Sequence, residues 1–202
     1  MSLFITFEGA DGCGKTTQIE LLDKYLKEKG FKTLVTREPG AKGLGEKLRE
    51  ILLNYDGEVS PTCESFLFLA DRAQHVDCII KPALKEGIVV LCDRHTDSTV
   101  AYQGYGRQLD IEQIKALNNI AVGAVKPDLT IVFDIDIETS MQRVGSTKDR
   151  MESAGVEFFK RVREGFLAIA KDEPNRVKVI NSNDTIENIH KQVVKLVEEK
   201  NG

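Results

Sequence analysis

The chain lacks the marks of several protein classes. Its four cysteines, Cys13, Cys63, Cys78 and Cys92, fall at irregular spacings, with no C-x-x-C pair and no histidine at metal-ligand spacing. Free thiols are expected rather than disulfides or structural zinc. There is no basic excess: 28 Lys and Arg stand against 32 Asp and Glu, a formal charge of -4. General nucleic-acid and membrane-surface binders need a basic face, so neither partner is expected. No apolar run is long enough to span a bilayer and no leader precedes the first apolar segment, which points to a soluble, cytoplasmic protein. Internal repeats, low-complexity tracts and linkers are also missing. With 202 residues, 41% of them hydrophobic, one domain with a sizeable core is expected over 1–202.

What is present is organised around Gly9-Ala10-Asp11-Gly12-Cys13-Gly14-Lys15-Thr16-Thr17, which fits G-x-x-x-x-G-K-[ST] directly after the apolar run Leu3, Phe4, Ile5 and Phe7. In a strand, loop and helix arrangement the glycines let backbone N–H groups face a triphosphate, and the helix N-terminus adds partial positive charge. Lys15 then reaches the β and γ phosphates, and the Thr16 hydroxyl ligates Mg²⁺. Nucleotide binding is the premise. The loop leaves open whether the γ-phosphoryl goes to water, to a small acceptor, or is only sensed.

Downstream, strands alternate with helices. Apolar residues Ile19, Leu22 and Leu26 predict a helix over 15–29, and Phe31 to Thr36 a strand that delivers Arg37-Glu38-Pro39-Gly40 to its carboxyl end. A second helix is predicted with Leu44, Leu48, Ile51 and Leu52 on one face. Ser60-Pro61 starts a third helix, which Pro82 should kink or restart near Ile80. Ile88 to Cys92 reads as a strand buried on both faces, delivering Asp93-Arg94 to the same edge. A helical turn from Asp97 to Gln103 should break at Gly104 and Gly106. Asp110 caps a further helix, and another strand runs from Leu129 to Phe133. Helices over 138–144 and 156–170, a strand over 177–180 and a final helix complete the pattern. The fold class is α/β, a parallel sheet covered on both faces, with ligands at its carboxyl edge.

Five stretches together resemble bacterial thymidylate kinase: residues 7–17, Thr-Arg-Glu-Pro-Gly (36–40), Phe-Leu-Ala-Asp-Arg-Ala-Gln-His (68–75), Asp-Arg-His-Thr-Asp-Ser-Thr-Val-Ala-Tyr-Gln (93–103) and Lys-Asp-Arg-Met-Glu (148–152). The resemblance implies a three-layer P-loop fold with a five-stranded parallel sheet and a short lid at about 145–154. It also implies a homodimer that phosphorylates dTMP to dTDP with Mg-ATP. By the same resemblance Asp11 meets the acceptor's 3′-hydroxyl, Arg37 and Arg94 hold its phosphate, and Asp93 lies in the second shell of Mg²⁺. Phe68 stacks on thymine, Arg72 donates to its O4, Thr99 lies near N3, and Tyr102 closes on the deoxyribose with Gln103 beside it. The chain departs from the family pattern at Ala41-Lys42, where Gly-Thr is common, at His95, where Tyr is frequent, at Met151, and in the shortness of its lid. Gly12 fills the loop position that eukaryotic members give to arginine. The transition-state cation is therefore expected from Arg150, with Arg143 and Lys148 in support.

Two rivals stand beside this reading. A P-loop switch or GTPase would need Asn-Lys-x-Asp and Asp-x-x-Gly, and neither is present. A kinase for another acceptor, such as dUMP or a deoxynucleoside, is the other, and two phosphate-directed arginines favour a monophosphate. Cys13, in an anion-binding loop ahead of a helix, is expected to be a reactive thiol.

Overall fold

The computed structural model describes residues 2–144, 150–151 and 154–201. Five strands, β1 (Phe4–Glu8), β2 (Thr33–Arg37), β3 (Val89–Asp93), β4 (Leu129–Asp134) and β5 (Val177–Asn181), form one parallel sheet in the order β2-β3-β1-β4-β5. β1 is central and buried along its whole length, as a parallel strand covered on both faces must be. Chain order reverses at β1, between β3 and β4, and such a switch point opens a crevice at the carboxyl edge. The loop after β1 enters that crevice.

Helices α1 (Lys15–Glu28) and α9 (Ile186–Asn201) pack on one face, where Ile5, Phe7, Leu22, Ile131 and Val193 share a core. Phe7 and Phe133 stack there at 6.1 Å, and full burial of such a ring is worth about 1.5–3 kcal/mol. A second core joins α8 (Val156–Asp172) to the segment after β3. In chain order between α1 and α8 come α2 (Leu44–Asn54), α3 (Pro61–His75), α4 (Lys81–Lys85), α5 (Thr96–Thr99), α6 (Ile111–Val122) and α7 (Ile137–Val144). No helix among the described residues is long and apolar enough to cross a membrane.

Most sequence expectations hold. Ser60 caps α3 by accepting from the Cys63 N–H, Asp110 caps α6 through the Gln113 N–H, and Asp136 accepts from the Thr139 N–H. A π-helical turn at Val76–Ile80 joins α3 to α4 just before Pro82, where a kink or restart was expected.

Two expectations are corrected. Gly104 and Gly106 do not break the helical turn; α5 widens into a π-helical segment over Val100–Gly106 that runs through both. Gly106 serves packing, since a Cβ there would lie 2.6 Å from the Phe158 ring. In α2, Leu44 and Ile51 are exposed, and the buried face instead carries Gly45 and Leu52. A Cβ on Gly45 would lie 2.8 Å from Asp71 Oδ1, so the glycine lets α2 approach α3 closely. The predicted lid at about 145–154 falls largely outside the described residues, and Lys148 with it.

Candidate active site

Backbone builds the loop between β1 and α1. Gly9 has φ 133° and a Cβ there would sit 2.6 Å from the Phe133 carbonyl oxygen, so only glycine fits. Gly14, in a left-handed conformation, precedes α1 and supplies no side-chain cap. The first N–H groups of α1 and the positive end of its dipole are left for an anion. Lys15 Nζ donates to Gly9 O at 3.1 Å and Ala10 O at 2.9 Å, folding the ammonium over its own loop. Thr16, Asp93 and Arg37 line one cavity beside it, and Asp93 Oδ1 is buried with no partner among the described residues.

A second cavity brings together Asp11, Arg49, Arg94, Phe68, Arg72, Thr99, Tyr102 and Gln103. Arg94 adopts a left-handed backbone, φ 69°, unusual for a residue with a side chain and costing about 1–3 kcal/mol. Its guanidinium pairs with Asp11 Oδ1 at 2.8 Å, donates to Ser98 Oγ at 3.2 Å and lies 5.0 Å from the Tyr102 ring centroid. Burial opposes ionisation of Asp11, but Arg94 and then Lys15 outweigh it and hold the carboxyl at about 2. Beneath, Glu8 accepts from the His95 N–H and from the Ser98 hydroxyl, and burial followed by Asp97 pushes its carboxyl up to about 8. The Tyr102 hydroxyl is buried without a partner among the described residues.

The deep end is a side-chain network. Arg72, 1% exposed, donates to Glu38 Oε2 (2.8 Å), Thr99 Oγ1 (2.7 Å), Asn118 Oδ1 (2.7 Å) and the His95 carbonyl (2.9 Å). Glu38 Oε1 also meets Nδ1 of both His75 and His95, at 2.8 and 2.9 Å. Burial works against the charge on Glu38, but His95 and Arg72 hold its carboxyl well below the usual range. Glu38, Cys92 and His95 could by donor type meet a metal ion. Glu38 is already neutralised by Arg72, and burial followed by nearby carboxylates pushes the Cys92 thiol up, so the cluster acts as a structural ion pair.

Cations facing an acid, an aromatic ring and paired hydrogen-bonding groups next to a phosphate loop is the arrangement of a nucleotide kinase, and residues 7–193 match the family model described as thymidylate kinase. The chain belongs to the thymidylate kinase family. It is 50% identical over 200 residues to the thymidylate kinase of Pelotomaculum thermopropionicum, covering 97% of this chain and 93% of that one. Identity to the thymidylate kinase of Caldanaerobacter subterraneus subsp. tengcongensis is 47% over 197 residues, covering 97% and 95%. The solved thymidylate kinase from Ehrlichia chaffeensis has 40% identity and a TM-score of 0.81, covering 97% of this chain and 98% of that one.

Of the residues that the thymidylate kinase pattern singled out, Asp11, Phe68, Arg72, Arg94, Thr99, Tyr102 and Gln103 meet in the second cavity. Arg37 does not. It is exposed at the end of β2, lines the cavity of Thr16 and Asp93, and makes no hydrogen bond or ion pair among the described residues. Arg49 from α2 lies instead in the cavity of Arg94, donating to the Pro39 carbonyl at 2.8 Å. Arg143 of α7 reaches the loop, 3.4 Å from the Gly12 carbonyl. Arg150 faces the other way, with Nη1 on Glu64 at 2.7 Å and Nε on the Leu52 carbonyl at 2.9 Å. Cys13 is 1% exposed, which denies it the access that a reactive thiol needs. Sequence reading missed Arg49, Glu38, Glu64 and Asn118; spacing gave one signal, because Glu64, Phe68 and Arg72 recur every four residues on one face of α3.

Proposed function

We propose that this chain transfers the γ-phosphoryl group of ATP, held with Mg²⁺, to dTMP, giving dTDP and ADP. The observation that carries this reading is the cavity in which two guanidiniums, Arg49 and Arg94, share space with Phe68, Arg72, Thr99 and Gln103. The arginines take the acceptor phosphate and offset its repulsion from the triphosphate, while Phe68 stacks on the base and Arg72 donates to O4. Asp11 takes the 3′-hydroxyl, and Tyr102 packs on the sugar. Arg37, outside this cavity, is better placed for the donor side.

The loop from Gly9 to Thr17 holds the triphosphate: Gly9, Ala10, Gly12, Cys13 and Gly14 through backbone, Lys15 by moving from its own carbonyls to the β and γ oxygens, and Thr17 at the helix start. Thr16 would ligate Mg²⁺ with Asp93 behind it, and the buried, unpartnered Asp93 Oδ1 fits that use. Bound there, the ion neutralises charge developing on the phosphates. No side chain needs to act as a strong base, because an anionic phosphate oxygen attacks and catalysis rests on alignment and charge. Arg143, over the loop, and Arg150, on the acceptor side, bracket the path. A cytoplasmic homodimer belongs to the same proposal, with sedimentation velocity as its check.

The test is ADP release across nucleoside monophosphates. dTMP should be the best acceptor. ADP release with another monophosphate, and none above the water background with dTMP, would overturn the reading.

A further inference from the structure

Glu64 lies outside every nucleotide-binding motif, yet its side chain is fully buried and heavily engaged. Its oxygens accept from Gln103 Nε2 at 3.0 Å, from Arg107 Nε and Nη2 at 3.1 and 3.0 Å, and from Arg150 Nη1 at 2.7 Å. Burial raises its carboxyl, but the bonds from Arg107 and Gln103 outweigh that and lower it, so the group is ionised at neutral pH. An ionised carboxylate only accepts hydrogen bonds. The Gln103 amide must therefore turn its NH₂ toward Glu64. Its carbonyl oxygen has no partner among the described residues, in a side chain that lines the acceptor cavity.

Arg72 beside it is equally constrained. Four of its N–H groups are spent on Glu38, Thr99, Asn118 and the His95 carbonyl, which leaves one on Nη2. The cavity lining thus holds a fixed donor, from Arg72, and a fixed acceptor, from Gln103. Thr99 cannot set this polarity, because a hydroxyl both donates and accepts.

We propose that Glu64 is a specificity-determining positioning residue: by fixing the Gln103 amide it makes the pocket select pyrimidines with a 4-oxo group and an N3–H. Thymine and uracil carry that edge. Cytosine presents an amino group and a bare N3, and so opposes donor to donor and acceptor to acceptor. A pocket whose polar groups are left unpaired by the wrong ligand rejects it strongly. The inference rests on the proposed monophosphate kinase activity and names how its acceptor base is chosen.

The experiment measures equilibrium binding of dTMP, dUMP and dCMP, with steady-state kinetics beside it, for the parent, Glu64→Gln and Gln103→Leu. In Glu64→Gln the new amide can donate as well as accept, so Gln103 is free to flip. Affinity for dTMP and dUMP should fall together by about 10-fold, dCMP should stay level or improve, and kcat at saturating dTMP should stay within a few-fold. Gln103→Leu keeps the Glu64–Arg107–Arg150 cluster and should erode the same ratio, so it carries the test if Glu64→Gln does not fold. Equal losses for all three nucleotides in Glu64→Gln would make Glu64 merely structural and overturn the proposal. So would an unchanged dTMP to dCMP ratio in Gln103→Leu. Because binding is read without the donor, a parent that binds 4-oxo pyrimidine nucleotides but transfers nothing would sink the activity and leave the selectivity standing.

Discussion

At the proposed donor side, the loop offers peptide: glycine conformations at Gly9 and Gly14, the bare start of α1, and one lysine that rests on its own loop. At the proposed acceptor side, the cavity is lined by a guanidinium held by four partners, over carboxylates that solvent does not reach. The first kind of site can rearrange as ligand arrives, because little holds Lys15 beyond two exchangeable carbonyls. The second is built before ligand arrives, and removing one partner strands a charge. The two sides should therefore fail differently, in rate on one and in stability and affinity on the other.

The largest effect should come from the cation that reaches the donor side. Sequence alone assigns it to Arg150, but Arg143 touches the loop while Arg150 pairs with Glu64. Arginine fingers contribute about 10³–10⁵ in rate, or about 4–7 kcal/mol. Arg143→Ala should lower kcat toward the smaller end of that range with dTMP binding intact. Arg150→Ala should mainly raise the dTMP KM. Equal kcat losses in the two variants would mean that Arg150 leaves Glu64 during turnover.

Next in size is the acceptor network. Arg72→Leu removes the cation from Glu38 and leaves that carboxylate buried with two histidines, at a cost of about 3–5 kcal/mol in chemical denaturation. A loss near 1 kcal/mol would show that His75 and His95 together neutralise Glu38 without it.

Why the donor loop read as a motif, and why the partners that hold Arg72 and Gln103 did not, follows from these contacts. A backbone site needs glycine at fixed offsets from Lys15, so its residues are contiguous and read as a motif. Glu38, Arg72 and Asn118 come from the end of β2, α3 and α6, and Glu64, Gln103, Arg107 and Arg150 from segments up to 86 residues apart. The four-residue spacing of Glu64, Phe68 and Arg72 on α3 places that Glu on the site's face, but nothing local names a partner that far along the chain. Arg37 shows the converse: the strand end was placed correctly, but the direction of its side chain was not readable, and Arg49 from α2 took the cavity. The alternation of buried strands and helices, by contrast, fixed the sheet because each element buries its own residues.

A pH experiment sharpens the same contrast within the acceptor side. Asp71 sits under the 38–40 loop, accepting from the Gly40 N–H at 3.2 Å, and burial followed by Glu38 pushes its carboxyl from 3.8 up to about 6. A carboxyl raised on folding prefers to be protonated, so its ionisation costs stability as pH climbs from about 4 to 6, and the cost is complete above that. The shift corresponds to at most about 3 kcal/mol. Glu38, lowered on folding, has the opposite sign and loses its contribution as pH falls. Asp71→Asn keeps an acceptor for Gly40 and should gain on the parent between pH 4 and 6, then hold a constant lead. A difference that does not change over that window would mean that Asp71 is ionised in the fold.

The smallest effect tests the apolar wall of the acceptor cavity rather than its charges. dTMP and dUMP present the same 4-oxo, N3–H edge, so the donor and acceptor fixed by Arg72 and Gln103 cannot separate them. Only the 5-methyl group remains, against a cavity whose apolar lining includes Pro39, Leu53, Phe68 and Met151. One methyl in such a pocket is worth about 1–3 kcal/mol, or roughly 10–200-fold in kcat/KM. Met151→Ala should shrink the ratio of dTMP to dUMP by lowering dTMP alone, if its side chain covers the methyl. A parent ratio above about 10³ would exceed what one methyl contact supplies, and a ratio near one would place the methyl in solvent, with the base turned away from that wall.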